Sequence, residues 1–199
     1  MRPLRDSSSS SGFSLVELMA YMAVMVTLAA FVMPLTRTAI NSLNLTSDAR
    51  NIASEVSLAK MRAAASFTKA RVRVDLTANT FYVERWQKNT NTWVLESVLR
   101  QLSPTVAFGF AGIAAPPPNT QAAIGQAPFC TNVAGATIAG TACIVFNSRG
   151  VPVDAAGAPV SVDAIYISDG ATVFGVTVST GGLIQLWRKN IANGAWALN

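Results

Sequence analysis

The sequence predicts an α+β chain in which a long amino-terminal α-helix, suited in its first half to a membrane, packs on an antiparallel β-sheet head. Three observations carry this. An almost uncharged apolar run extends from Phe13 to Leu35. No proline or glycine interrupts Leu35 to Ala65. Beyond residue 70 the hydrophobic period changes from three-to-four residues to two.

The first element is the apolar run. Met1 to Gly12 carries Arg2 and Arg5 against Asp6, followed by serines, and residues 13–35 then contain a single charge, Glu17. A helix of this length spans a bilayer of roughly 30 Å. A cleaved secretory signal fits poorly, because its apolar core is only ~7–15 residues long and ends at a small-residue site. A plain signal anchor fits the length but leaves Glu17 without a purpose. Basic residues ahead of the span place the amino terminus in the cytoplasm. A carboxylate in hydrocarbon costs a few kcal/mol even on lenient scales, so Glu17 calls for a positive partner.

Residues 36–65 continue the helical signal amphipathically. Ile40, Leu43, Ala49, Ile52, Val56, Ala59 and Ala63 form a stripe meant for a sheet, with Arg50, Glu55, Lys60 and Arg62 largely off it. Either one helix runs from Phe13 to Ala65, or Pro34 removes a hydrogen bond and starts a separate core helix.

Alternation begins at Ala70–Leu76, followed by the turn 77–79 and a second strand over Thr80–Trp86. Trp93–Leu99, Val106–Phe110, Cys143–Phe146, Val162–Ile167, Val173–Val178 and Leu183–Trp187 read as further strands, and Ala195–Leu198 as an edge segment. Gly181-Gly182 reads as a hairpin turn. Residues 111–141, rich in Gly, Pro and Ala, form a long loop of the kind that is usually functional or tied down. If the head is exported, Cys130 and Cys143 can form a disulfide worth ~3 kcal/mol; otherwise they are two buried thiols.

Composition excludes much chemistry. There is no histidine, so Ser-His, Cys-His and histidine–metal sites are out, and two cysteines leave too few soft ligands for zinc. No catalytic residue, metal or cofactor is expected. Asp154, Asp163 and Asp169 sit beside turn residues and read as turn caps rather than a calcium site. Charged residues make up only 13% of the chain and the net charge is +5, too mild and too scattered to demand a nucleic-acid partner. Two cationic groupings are the places where one would bind: Arg71 and Arg73 on one face of their strand, and Trp187-Arg188-Lys189, where an aromatic joins two cations.

Gly12-Phe13-Ser14-Leu15-Val16-Glu17, with the span that follows, resembles the cleavage and methylation signal of type IV pilins and type II secretion pseudopilins. The helix-then-sheet order is similar to the pilin fold. Phe146–Pro152 and Val176–Gly182 resemble the head of the FimT/GspH group of minor pilins and pseudopilins. The resemblance implies a leader, 1–12, cut by a prepilin peptidase between Gly12 and Phe13, with methylation of the new Phe13 amino group. It implies that Glu17 neutralises the amino-terminal charge of a neighbouring subunit, and it matches Pro34 to a proline near the outer end of the span. The partners it implies are other pilin or pseudopilin subunits, the peptidase, the inner membrane and the assembly platform. The head would be periplasmic on a single-pass inner-membrane helix, later in a periplasmic or cell-surface filament. Some FimT-like minor pilins take up DNA through a carboxyl-terminal Gly-Arg-x-Arg element, but the matching Gly182-Leu183-Ile184-Gln185 lacks both arginines. The expected function is therefore a minor pilin or pseudopilin of a type IV pilus or type II secretion system. The alternatives are a DNA-binding minor pilin and a membrane-anchored domain that never assembles.

Overall fold

The computed structural model describes residues 12–160, 162–192 and 194–199. Residues 1–11 of the expected leader lie outside them, as do the side chains of Pro34 and Leu35. One helix, α1 (Leu15–Ala65), is continuous through position 34, so the alternative of a separate core helix is not seen. The chain forms two compact units, Met1–Ile40 and Asn41–Asn199.

In the first unit every side chain described from Phe13 to Met33 is exposed. Its hydroxyls are satisfied within the helix: Thr27 Oγ1 donates to Val24 O (2.8 Å) and Thr36 Oγ1 to Val32 O (3.0 Å).

In the second unit the helix packs against antiparallel sheets. The eleven strands are β1 (Ala70–Asp75), β2 (Thr80–Gln87), β3 (Thr92–Leu95), β4 (Arg100–Gln101), β5 (Ala107–Phe108), β6 (Thr141–Phe146), β7 (Pro152–Val153), β8 (Val162–Ser168), β9 (Thr172–Ser179), β10 (Ile184–Asn190) and β11 (Ala197–Leu198). One sheet has the order β3-β2-β1-β6-β7, with β4 also on β2; the other runs β11-β10-β9-β8-β5. Ala49, Ile52, Val56, Ala59 and Ala63 are fully buried at three- and four-residue steps, joining Val72, Val74, Phe81, Ile144, Ile165 and Val176 in one core. The three alanines let the helix axis approach the sheets closely. Each of the larger aliphatic side chains contributes about 1.5–3 kcal/mol by leaving water.

The sequence expectations need three corrections here. The buried stripe starts at Leu45, since Ile40 and Leu43 are 50% and 68% exposed. Glu55, expected off the stripe, is buried and reaches Arg100 Nε at 2.9 Å, which a carboxylate tolerates only when paired. The strand expected over 93–99 stops at Leu95, because Glu96 and Ser97 both turn their N–H groups onto Val83 O.

The head contains two sheets where one was expected. The long loop bridges the two: Ala127 N–H donates to Ala164 O on β8 and Cys143 N–H on β6 donates to Pro128 O. The same edges of β6 and β8 are otherwise taken by β7 and β5. The loop is tied down rather than free. Tyr166 donates from its hydroxyl to Gln121 Oε1 (2.8 Å), Gln126 brackets the Tyr166 backbone, and Trp196 Nε1 donates to Ala115 O. Ile113 and Tyr166 form a second small core there, with Phe110 and Ile124 packed against it.

Turn chemistry sets the registers. Asp75 Oδ1 accepts from Thr77 and Ala78 N–H, and Asn79 takes φ 53°, closing the β1–β2 hairpin. The expected Gly181-Gly182 hairpin is present: Gly182, at φ 77°, donates to Ser179 O, and a Cβ there would lie 2.5 Å from Gly150 O. Helix α1 ends in a Schellman arrangement, with Thr68 N–H on Ala63 O and Phe67 N–H on Ala64 O.

Candidate functional site

The feature of the first unit that invites chemistry is the apolar stem. Phe13, Leu15, Val16, Met19, Met22, Met25, Val26 and Phe31 are each more than 60% exposed, and a window of the helix reaches a mean hydropathy of 2.1 with nothing buried. By length and composition this helix can cross a membrane. Its hydrophobicity is all-round because the sequence places apolar residues on every face.

Glu17 stands in the first helical turn, where the positive end of the helix dipole favours an anion. Among the described residues it makes no ion pair or hydrogen bond through its side chain. Phe13 packs edge-on against Tyr21 with ring centres 6.4 Å apart, so the start of the stem is aromatic around the acid. Gly12 and Phe13 are both exposed and precede the helix.

In the head the two cysteines are joined, Cys130 to Cys143, with Cα atoms 4.9 Å apart. This pins the far end of the loop to β6. Thr141 adds to the joint, accepting from Cys130 N–H and donating to Ile138 O.

The aspartates divide. Asp154 Oδ1 accepts from Ala158 N–H, and Asp169 Oδ1 accepts from Ala171 and Thr172 N–H, as turn caps do. Asp163 departs from that expectation: it lies on β8, only 6% exposed, and burial raises its carboxyl to about 6. No group of three or more metal-ligating side chains exists among the described residues.

The cationic groupings also look different in three dimensions. Arg71 is buried at 2% exposure, not a surface cation. Its Nη2 lies 2.6 Å from Glu84 Oε2, its Nη1 donates to Thr131 O at 2.7 Å, and its guanidinium sits 3.9 Å from the Trp93 ring centre. Arg73 shares Glu84 at 3.7 Å and lies over Tyr82. Sequence reasoning missed Glu84, although the signal was present. A hairpin closed at 77–79 sets Arg71 directly opposite Glu84.

Trp187 is buried and donates from Nε1 to Thr177 Oγ1. Arg188 points to the opposite face of β10 and is exposed, while Lys189 Nζ lies 5.8 Å from the Trp196 ring centre. The aromatic and the first cation are therefore not brought together.

No protein-family model matches the chain, and no curated protein matches it. Among solved structures it is similar to the minor pseudopilin EpsH from the Type 2 Secretion System of Vibrio cholerae, in two determinations. One is 13% identical with a TM-score of 0.37, covering 78% of this chain and 96% of that one. The other is 15% identical, again with a TM-score of 0.37, covering 78% and 92% respectively.

Proposed function

We propose that the chain is a minor pilin or pseudopilin: a structural subunit inserted in the bacterial inner membrane and then built into, or priming the tip of, a type IV pilus or type II secretion pseudopilus. The observation that carries this reading is the uncovered stem, apolar on every face, with Glu17 making no ion pair among the described residues one turn into it. A lone anchor needs the apolar surface but has no use for the acid. A helix that leaves lipid for a bundle of similar helices needs both.

In this reading a prepilin peptidase cuts between Gly12 and Phe13 and methylates the new amino terminus. The ammonium of Phe13 on one subunit then meets the Glu17 carboxylate of its neighbour. Each charge is costly alone in an apolar bundle and tolerable when paired, so the pair sets the axial register of the stems. The head stays outside the membrane, stapled by its disulfide, and presents its loops to other subunits and the assembly platform. The work done is assembly, not catalysis.

Glu17→Val tests the reading. It leaves membrane insertion intact and impairs incorporation into filaments, scored by immunoblot of sheared fibres against the membrane fraction. Intact mass of the wild-type protein should begin at N-methylated Phe13. Fibres that form normally from the variant, or a mature chain that keeps residues 1–12, would replace this account with a tethered domain that never assembles.

A further inference from the structure

A groove of about 540 Å³ opens beside the carboxyl end of α1, within the second unit. Phe67, Trp86 and Trp93 wall it, and Lys69, Asn132 and Asn147 also line it. Trp86 and Trp93 stand opposite one another on β2 and β3 and meet edge to face, their centres 5.2 Å apart. Phe67 occupies the position of the helix terminus where glycine is usual. It holds φ at 47° with its side chain 76% exposed, a conformation that is costly for a bulky residue and fills no core.

The charged groups of the groove are one-sided, and the hydroxyls of Thr68, Thr131 and Ser148 add neutral polar lining. Asn132 spends its Oδ1 on the Ala134 and Ala136 N–H groups, and Asn147 spends its own on Arg149 and Val151. Both amides keep their Nδ2 donors. Lys88 donates once, to Phe67 O, while Lys69 makes no ion pair among the described residues. Among the described residues no aspartate or glutamate lines the groove. The lining thus offers donors, positive charge and aromatic surface, in a volume typical of small-ligand sites.

We propose that this groove binds a carboxylated oligosaccharide, its sugar rings packed on Phe67 and the tryptophans and its carboxylate held by Lys69. Sugar hydroxyl and ring oxygens accept readily from the asparagine donors, and the C–H faces of pyranose rings suit aromatic walls. An extended peptide fits less well, because the asparagine oxygens are committed and its backbone N–H groups would find only the hydroxyls of Thr68, Thr131 and Ser148 as side-chain acceptors. A single nucleic-acid strand wants a track of cations along its backbone, where this groove has two lysines. The proposal does not rest on the assembly reading.

The test is titration of the full chain in detergent micelles with tri-galacturonic acid, followed by tryptophan fluorescence and calorimetry. Saturable binding with Kd of roughly 0.1–1 mM is expected. Phe67→Gly should raise Tm by removing the strained conformation while weakening binding about fivefold to tenfold. Opposite signs for stability and affinity separate a ligand role from a folding defect. Lys69→Gln should weaken binding of the carboxylated trimer. The proposal is overturned by absence of saturation at about 10 mM, by equal affinity for neutral chitotriose, or by wild-type affinity in Phe67→Gly. Tighter, steeply salt-dependent binding of oligothymidylate would overturn it in favour of nucleic acid.

Discussion

Arg71 and Glu84 face each other across the β1–β2 pair as a buried ion pair, with Arg71 Nε and Nη2 both 2.6 Å from the same carboxylate oxygen. Burial pushes the Arg71 guanidinium below its ordinary pKa and Glu84 pulls it back up. The pair also carries the Trp93 ring and the Thr131 carbonyl, so one charged contact joins β1, β2, β3 and the long loop.

Removing one partner should therefore cost far more than removing both. Glu84→Gln strands a buried guanidinium and is expected to lower stability by about 3–5 kcal/mol, whereas Arg71→Met with Glu84→Leu should lie close to wild type. Urea unfolding of the full chain in micelles, followed by tryptophan fluorescence, reads both. A single variant as stable as the double would show that water already reaches the pair.

Asp163 gives a pH dependence with a definite sign. Burial raises its carboxyl from 3.8 to about 6, so the folded state favours the protonated acid. Its contribution to stability is full below the unfolded value and is lost as pH rises through about 6. Asp163→Asn is expected to stabilise the head at pH 7 by about 1–3 kcal/mol and to change little below about pH 4. Melting temperatures taken across that range check it. An asparagine variant less stable at pH 7 would mean that the ionised carboxylate has a partner.

The disulfide and Tyr166 hold opposite ends of the same loop. Reduction, or Cys143→Ala, should cost ~3 kcal/mol by the loop-closure estimate. Hydrogen exchange should then accelerate in the segment bracketed by the Thr131–Thr137 bridge. Protection should persist at Ala127, whose N–H is held independently by Ala164 O on β8. Uniform loss of protection across the loop would show that it opens as one unit.

These particulars mark where sequence reading stops. The helix was legible because Ala49, Ile52, Val56, Ala59 and Ala63 repeat at helical spacing, and the β1–β2 and β9–β10 hairpins because Asn79 and Gly182 are turn residues between alternating runs. Alternation also put Arg71 on the face opposite Val72, but it is silent on whether that face meets water. Thr131 and Trp93 cover it, and only long-range pairing supplies them. The split into two sheets was hidden for the same reason. The edges of β6 and β8 are closed by β7, β5 and the loop residues 127 and 128, and a Gly- and Pro-rich stretch has no period to announce where it docks. In the stem, Glu17 was conspicuous because a charge among apolar residues is itself a signal. The groove at Phe67 was not, because its three aromatics come from separate elements and only the fold gathers them.

Gly175 shows how one small residue supports the loop at a distance. It lies in the middle of β9, paired with Tyr166 on β8 and Trp187 on β10. A Cβ there would sit 2.6 Å from Tyr166 Cε1 and 2.9 Å from Cδ1, closer than van der Waals contact allows. The ring cannot easily yield, because Phe110 and Trp196 flank it and its hydroxyl is committed to Gln121. Gly175→Ala should cost about 1–3 kcal/mol, as overpacking in a closed site does. It should also loosen the Gln121 contact, seen as faster exchange of the neighbouring amides. Adding Tyr166→Leu to Gly175→Ala should cost less than the sum of the two single changes, since the smaller side chain vacates the space the new methyl needs. Strict additivity in that cycle would mean that strand strain, not the tyrosine ring, is what the glycine relieves.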